Sequence, residues 1–299
     1  MVLQFEPLSL QRQHAYRQHL AGCSQIASDY SFINLWGWAE AYGLQWAWDH
    51  DLVWIRQSRP QERFWAPLGP WQTVDWPRVF QTLHPPGGRL IRVPEPLLQI
   101  WQTAISDRIE ALPARGQWDY LYNLKEMIEL AGNRYHKKKN LVRQFQRSYD
   151  AAYEPLGPAT VAEALTLQND WCTWRDCEAV DTLAAENDAI SRVIADWNVL
   201  EGICGGLLRV EGDLVAYTVA ERLAADTLLI HFEKGNPAFK GVYQAINQAF
   251  LAHNADEAIR WVNREQDLDD EGLRRAKLSY HPEAFVKKFE VVVREPKIL

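Results

Sequence analysis

The sequence predicts an α/β (α+β) fold of two domains in tandem, each a mixed, mostly antiparallel sheet flanked by helices. Three observations carry that prediction. The chain has 299 residues, long for one hydrophobic core and comfortable for two. Strand-like and helix-like patterns alternate along its whole length, with no internal period of about 20–50 residues that would signal a solenoid. In the second half three strand patterns follow one another, the first two joined by Glu211-Gly212-Asp213, a tight hairpin signal.

The first half reads as follows. Gln11 to Leu20 has a helical pattern, and Ser31 to Tyr42 spaces Phe32, Leu35, Trp36 and Ala39 at helical intervals. Leu44 to Gln57 alternates around Asp49-His50-Asp51, as a hairpin with a polar turn does. Thr73 to Leu83 is a helix stopped by Pro85-Pro86-Gly87-Gly88, and Arg89 to Val93 a short strand. Pro96 to Ile105 is helical, Trp118 to Leu124 a strand, and Gly132 to Tyr149 a strongly basic helix.

In the second half, Ala152 to Leu156 is a strand. Thr160 with Glu163 three residues on forms a capping box opening a helix that runs to Trp174. Glu186 to Leu200 is another helix. The strands Gly206 to Val210, Leu214 to Arg222 and Thr227 to Glu233 follow, then the loop Gly235 to Lys240 and the helix Val242 to Ala252. The strand Ala258 to Asn263, the helix Glu271 to Ser279 and the strand Phe285 to Val293 close the chain. Strand, two helices, three antiparallel strands, helix, strand, helix, strand is the element order of the GNAT acyltransferase fold. The first half repeats it loosely. The expectation is therefore two GNAT-like acyltransferase domains, 1–149 and 150–299, the second holding the donor cleft.

Composition narrows the function classes. A hydrophobic fraction of 47% and a charged fraction of 24% are those of a globular protein. No apolar run of about 18 residues exists to span a membrane. The N-terminal MVLQFEPLSLQRQHAYRQHL lacks a signal-peptide pattern, so a cytoplasmic location is expected. A net charge of −7 argues against wholesale nucleic-acid coating but allows a local basic patch. Cys23, Cys172, Cys177 and Cys204 form no C-x-x-C pair and are expected as buried free thiols. Asp267, Asp269, Glu271 and Gly272 imitate a calcium loop, but its twelfth position falls on Leu278, so no metal is expected. No G-x-S-x-G elbow, Walker loop or dinucleotide fingerprint occurs.

Four segments carry a family resemblance: NREQDLDDEGLRRAKLSYHP (263–282), GNRYHKKKNLVRQF (132–145), DYSFINLWGW (29–38) and HFEKGNPAFKGVYQAIN (231–247). They resemble the C-terminal domain of bacterial phosphatidylglycerol lysyltransferases and its soluble stand-alone relatives, and span nearly the whole chain. The resemblance implies a tandem GNAT fold related to the Fem-type enzymes, which transfer an aminoacyl group from transfer RNA.

By analogy with that fold, Glu233 and Lys234 at the end of a central strand lie on the cleft floor. The carboxylate would take a proton from an attacking amine or hydroxyl, and the lysine would hold a phosphate or ester oxygen. The plainer alternative is a strand-end ion pair. Gly235 to Tyr243, with Asn236 and Lys240, leads to a helix N-terminus where an anion could bind; Pro237 and Phe239 stand where a coenzyme A loop would have compact glycines. Asn263, Arg264 and Glu265 leave the next strand, and Lys277 lies on the helix beyond. Tyr280 is placed to protonate the leaving group, or is a packing tyrosine. His136, Lys137, Lys138, Lys139, Arg143 and Arg147, with Asn140 among them, suit phosphates or a solvated helix face.

The resulting expectation is an acyltransferase moving an aminoacyl group from aminoacyl-tRNA to an amine or hydroxyl. Glu233 and Tyr280 are the proposed base and acid. Lys234, Asn236, Lys240, Asn263, Arg264, Glu265, Lys277, His136, Lys137, Lys138, Lys139 and Asn140 would bind donor or substrate. The partners would be the acceptor end of tRNA and a small-molecule or lipid-headgroup acceptor, with no tightly bound cofactor. The alternatives are acyl transfer from acetyl-coenzyme A and a non-catalytic module that binds a ligand or an RNA end.

Overall fold

The structure is a computed structural model that describes residues 3–49, 51–83, 85, 88–177 and 180–294. His50 of the expected hairpin turn, and Pro86 and Gly87 of the expected helix stop, lie outside the described residues. The chain forms two compact units. Unit 1 comprises Met1–Asp119, Gln266–Glu271 and Phe285–Leu299; unit 2 comprises Tyr120–Glu265 and Gly272–Ala284. No helix among the described residues is long and apolar enough to cross a membrane.

The first run of elements is β1 (Glu6–Pro7), α1 (Gln13–Ala21), α2 (Phe32–Tyr42), β2 (Gln45–Asp49), β3 (Leu52–Gln57), β4 (Arg63–Trp65), α3 (Trp76–Thr82), β5 (Arg89–Pro94), α4 (Glu95–Ile105) and β6 (Ile109–Pro113). Helix α2 forms where the sequence gives it both ends. The Ser31 hydroxyl accepts from the Asn34 amide at 3.3 Å, and Gly43 leaves in the left-handed region at φ +56°. Large rings fill this core, with Trp46, Trp54, Trp76, Trp101 and Phe80 all buried. Here β2, β3 and β4 are antiparallel and β5 runs parallel to β4.

The second run is β7 (Asp119–Asn123), α5 (Leu124–Glu129), α6 (His136–Ser148), β8 (Ala151–Pro155), α7 (Val161–Arg175), α8 (Asp181–Ala195), β9 (Ile203–Val210), β10 (Asp213–Ala224), β11 (Thr227–Gly235), α9 (Val242–His253), β12 (Trp261–Asn263), α10 (Glu271–Leu278), β13 (Ala284–Val286) and β14 (Lys288–Val293). Strands β8 to β11 are antiparallel and β12 is parallel to β11. Both runs thus follow the expected GNAT-like order, on two mixed seven-stranded sheets flanked by helices.

The sheets do not respect a cut at residue 149. One has the order β1-β2-β3-β4-β5-β14-β6 and the other β13-β7-β12-β11-β10-β9-β8. Strand β14, which closes the second run, lies in the first sheet, and β7, from the expected first domain, lies in the second, so α6 falls inside unit 2 and the last strand inside unit 1. The expected boundaries 1–149 and 150–299 are replaced on that account. The expected single strand Phe285 to Val293 is likewise two strands, β13 and β14, in different sheets. In unit 1, buried Lys288 at the start of β14 pairs with Asp29 and, at 2.7 Å, with Asp119, whose carboxylate also takes the Ser28 amide and hydroxyl. A cation that deep requires partners of this kind.

Two further expectations change. Thr160 caps nothing with its side chain; its hydroxyl bonds Gly157, while Glu163 is drawn to Arg209 at 2.8 Å. Cys172 and Cys177 are not free thiols but a disulfide, because the turn after α7 brings their Cα atoms to 5.1 Å. Cys23 and Cys204 are free, and burial pushes both thiols up to about 11.

Candidate functional site in unit 2

Strand β11 keeps its ladder with β10 to the end, Gly235 opposite Ala216. With β12 it pairs only over Thr227–Leu229 against Trp261–Asn263. Beyond that point the chain of β12 stays with β7: the Arg264 amide donates to the Tyr120 carbonyl at 3.0 Å, and the Tyr120 amide to the Glu265 carbonyl at 3.2 Å. A gap therefore opens between β11 and the continuation of β12. Its corner is built, since the Asn263 side chain accepts from the Glu265 amide at 2.8 Å and Glu265 adopts φ +57°. A non-glycine residue in that region needs such support.

Glu233 points from β11 toward α9. Its carboxylate accepts from the Asn247 amide at 2.9 Å and pairs with the Arg264 guanidinium at 3.2 Å. Arg264 lies 5.1 Å from the centre of the Tyr280 ring, and Lys277 donates to the Arg264 carbonyl oxygen. Lys138 of α6 reaches the same ring, its ammonium 4.1 Å from the centroid. Tyr135 donates to the Tyr280 carbonyl at 3.2 Å and Tyr122 meets the Tyr280 ring edge-on. The group is largely buried, the Glu233 side chain 8% exposed and that of Arg264 19%.

Burial sets the protonation states. It raises the Tyr280 phenol above its ordinary value, further raised by Glu233 and only partly offset by Arg264 and Gln244, so the hydroxyl keeps its proton. It opposes the Arg264 charge, yet Glu233, Tyr280 and Tyr122 outweigh it and hold the guanidinium above its usual value. It depresses Lys138, with the Arg264 charge adding to the effect. The arrangement offers a carboxylate, a fixed cation and a protonated phenol beside one strand gap, as proton transfer around an anionic or ester group requires.

One turn of the pleat away, His231 is fully buried between Glu221 of β10 at 3.2 Å and Glu265 at 3.3 Å. Burial works against the imidazolium. The bonds and charges of the two carboxylates outweigh it and hold its pKa at about 9. His231 thus fixes Glu265, the residue after Arg264.

The expected residues divide. Glu233, Arg264, Lys277, Tyr280 and Lys138 come together, with Asn263 and Glu265 shaping the corner. Lys234 does not join them. Successive strand residues face opposite sides, so Lys234 points to α7 and α8, pairs with Glu186 at 2.7 Å and stands 3.8 Å over Trp171. The expectation that Glu233 and Lys234 share one cleft floor fails for that reason. Asn236 turns its side-chain oxygen to the Ala238 amide at 2.9 Å, the Val242 amide is taken by the Phe239 carbonyl, and Lys240 is exposed. The loop therefore spends these groups on itself instead of presenting them to an anion. On α6, His136 bonds Asn140 at 2.9 Å and Lys137 is exposed, while Lys139 is half-buried.

Sequence reasoning missed Asn247, Gln244, Glu221 and His231. The last two carried a signal: a carboxylate in DLVAYTVAERLA and a histidine in TLLIHFEKG are polar groups inside apolar strands, and such groups are buried only when paired.

A family model described as phosphatidylglycerol lysyltransferase, C-terminal, matches residues 21–292. A curated relative, an uncharacterized protein of Mycoplasmoides gallisepticum, is 25% identical over 180 residues, 58% of this chain; the chain spans 56% of that relative's length. A conserved protein of unknown function from Bacteroides thetaiotaomicron VPI-5482 superposes with TM-score 0.89 at 25% identity, covering 98% of this chain and 100% of that one. The structure of L-PGS from Bacillus licheniformis has the same fold, with TM-score 0.66 at 11% identity over 100% of this chain and 96% of that one.

Proposed function

This chain belongs to the phosphatidylglycerol lysyltransferase C-terminal family, and from that membership we propose that unit 2 transfers an aminoacyl group from an aminoacyl-tRNA to an amine or hydroxyl acceptor. The family is one of aminoacyl transferases. The observation that carries the reading is the convergence of Glu233, Arg264 and Tyr280 where β11 outruns β12.

The chemistry assigned to these residues is as follows. The acceptor, a small molecule or a lipid headgroup, attacks the ester carbonyl through its nitrogen or oxygen. An anionic group of the donor recruits Arg264, and the carboxylate of Glu233 then takes the acceptor's proton. The bond to the ribose oxygen of the terminal nucleoside breaks, and Tyr280 returns a proton to that oxygen. Lys138 and Arg264 flank the phenol and stabilise the charge it acquires. Positioning of the two reactants supplies much of the remaining rate. An aminoacyl ester is favoured over coenzyme A because the amides of Ala238, Phe239 and Val242, where a pyrophosphate would sit, already have partners within the loop.

The test is incubation with pooled radiolabelled aminoacyl-tRNAs and cell extract, asking which fraction gains label. Glu233→Gln and Tyr280→Phe should each lower transfer by about 10²–10⁴-fold, the usual worth of a positioned acid or base. Unchanged rates in both, with folded protein, reject the assignments. Label taken from acetyl-coenzyme A and not from tRNA rejects the donor.

A further inference from the structure

We propose that Thr218 is a positioning residue for Glu233: its hydroxyl takes hold of the carboxylate when a guest draws Arg264 away. The inference rests on the aminoacyl-transfer reading above, with Glu233 as base, and adds the group that keeps the base aimed once its cation is engaged elsewhere.

The ladder places the two residues together. Residues directly opposite one another in an antiparallel pair project to the same face, and Thr218 of β10 lies opposite Glu233 of β11. The adjacent pair, Tyr217 opposite Lys234, projects to the other face, where Tyr217 bonds Gln168 of α7 and Lys234 pairs with Glu186 of α8. Thr218 and Glu233 therefore both face α9, from which Asn247 reaches the carboxylate. On its other flank Thr218 lies opposite Gly206 of β9, which brings no side chain; the Tyr153 ring packs over that glycine.

Thr218 is fully buried, and among the described residues its hydroxyl has no hydrogen-bond partner. Its neighbours along β10, Ala216, Val219 and Ala220, are equally buried and apolar, and valine has the shape of threonine. An orphaned hydroxyl there costs stability that valine would not. Such a group calls for a reason, and Glu233 supplies one. Its carboxylate is occupied in this state, Oε2 by Asn247 and Oε1 by Arg264. A carboxylate has about four acceptor sites, so capacity remains. Opposite Cβ atoms stand about 5 Å apart, a span that a glutamate and a hydroxyl bridge. When an anionic group of the donor takes Arg264, Oε1 loses its partner. Rotation of Thr218 about Cα–Cβ, from one staggered well to another, then aims the hydroxyl at that oxygen. Two neutral donors, Asn247 and Thr218, fix the carboxylate, and it keeps a free site for the acceptor's proton.

The experiment is a double-mutant cycle on the full chain, read by urea unfolding. Arg264→Met stands for the state in which Arg264 is drawn away, and Arg264→Gln is run as a second background. In the wild type Thr218→Val removes a hydroxyl that bonds nothing, so the folding constant should hold or rise. In either Arg264 background the same change should lower it at least about tenfold, the lower end for a hydrogen bond to a charged group. Thr218→Ser should restore it. An equal effect of Thr218→Val in all backgrounds overturns the proposal, as does a loss in the wild type. The second readout is transfer from the pooled aminoacyl-tRNAs. Thr218→Val should lower kcat at least about tenfold and leave KM within about twofold, and Thr218→Ser should recover most of the loss. An unchanged kcat in an active protein overturns the proposal. If the wild type transfers from no donor while the coupling between Thr218 and Arg264 stands, the transferase reading fails alone and Thr218 remains the reserve partner of Glu233.

Discussion

The pairing of His231 predicts a pH dependence of folding. In the folded chain the imidazole titrates at about 9, against an ordinary value of 6.5 that the unfolded chain recovers. A folded value above the unfolded one means that the native state binds the proton more tightly. The stabilisation is then complete below pH 6.5 and disappears as pH rises through 9. At 1.36 kcal/mol per pH unit that interval is worth about 3 kcal/mol. The charged groups facing the ring are Glu221 and Glu265, with Cys204 beyond Glu221 titrating above the window at about 11. The perturbation is His231→Gln, and the assay is urea unfolding at pH 6, 7.5 and 9.5 followed by tryptophan fluorescence. Glutamine can serve only one of the two carboxylates, so at pH 6 the variant should be less stable by about 3 kcal/mol, the lower end for a broken buried ion pair. At pH 9.5 the two proteins should converge, because the wild type has lost its imidazolium. A difference that stays constant with pH would refute the reasoning, since it would show that the ring is neutral throughout.

Three other outcomes follow from named contacts. Glu233→Gln leaves the buried Arg264 guanidinium without its carboxylate and should cost about 3–5 kcal/mol. At about 2–4 °C per kcal/mol, its thermal midpoint should fall by at least about 6 °C, and less of that loss should remain when Arg264→Met is added. Gly241→Ala meets both φ +88° and the Leu141 carbonyl oxygen at 2.4 Å from the new Cβ, whereas Gly132→Ala has φ +81° and open space. Gly132→Ala should cost about 1 kcal/mol and Gly241→Ala clearly more, read from denaturant midpoints. Lys234→Met should leave transfer within about threefold of wild type, because Lys234 faces α7 and α8; its cost should be near 1 kcal/mol, as Glu186 is 29% exposed and can turn to water.

Much of this was legible in the chain. Glu211-Gly212-Asp213 announced a hairpin, and the structure gives Glu211 and Gly212 the positive φ values, 52° and 93°, that such a turn needs. The helical spacing of Ser31 to Tyr42 announced α2, which starts directly after Ser31. The exchange of β7 and β14 was not legible. An apolar strand reads the same whichever sheet receives it, and the interactions that decide the matter, such as Lys288 with Asp29 and Asp119, join residues far apart in sequence. Strand β4 was missed because three residues give too little alternation to register. At the site, Arg264 and Tyr280 were recognisable as polar residues flanking a strand and a helix. The separation of Lys234 from Glu233 could have been read from the pleat alone, since consecutive residues of a strand cannot share a face.

The polar residues of unit 2 concentrate where the ladder fails, and the physical cause is the ladder itself. Where β11 and β12 pair, the backbone satisfies its own hydrogen bonds, and Leu228, Leu229 and Val262 are buried. After Leu229 and Asn263 the backbone no longer closes the space, and a buried opening must be filled by groups that bond one another or by a ligand. Here it holds Glu233 with Arg264 and Asn247, and His231 with Glu265 and Glu221. Glu233 has the Arg264 cation, and Glu221 and Glu265 share the one imidazolium of His231. An anionic guest that takes Arg264 leaves Glu233 held by Asn247 alone. The Glu221–His231–Glu265 pairing beneath it is untouched and keeps the corner of β12 in place. The stable half of the network thus positions the half that would exchange partners with a substrate.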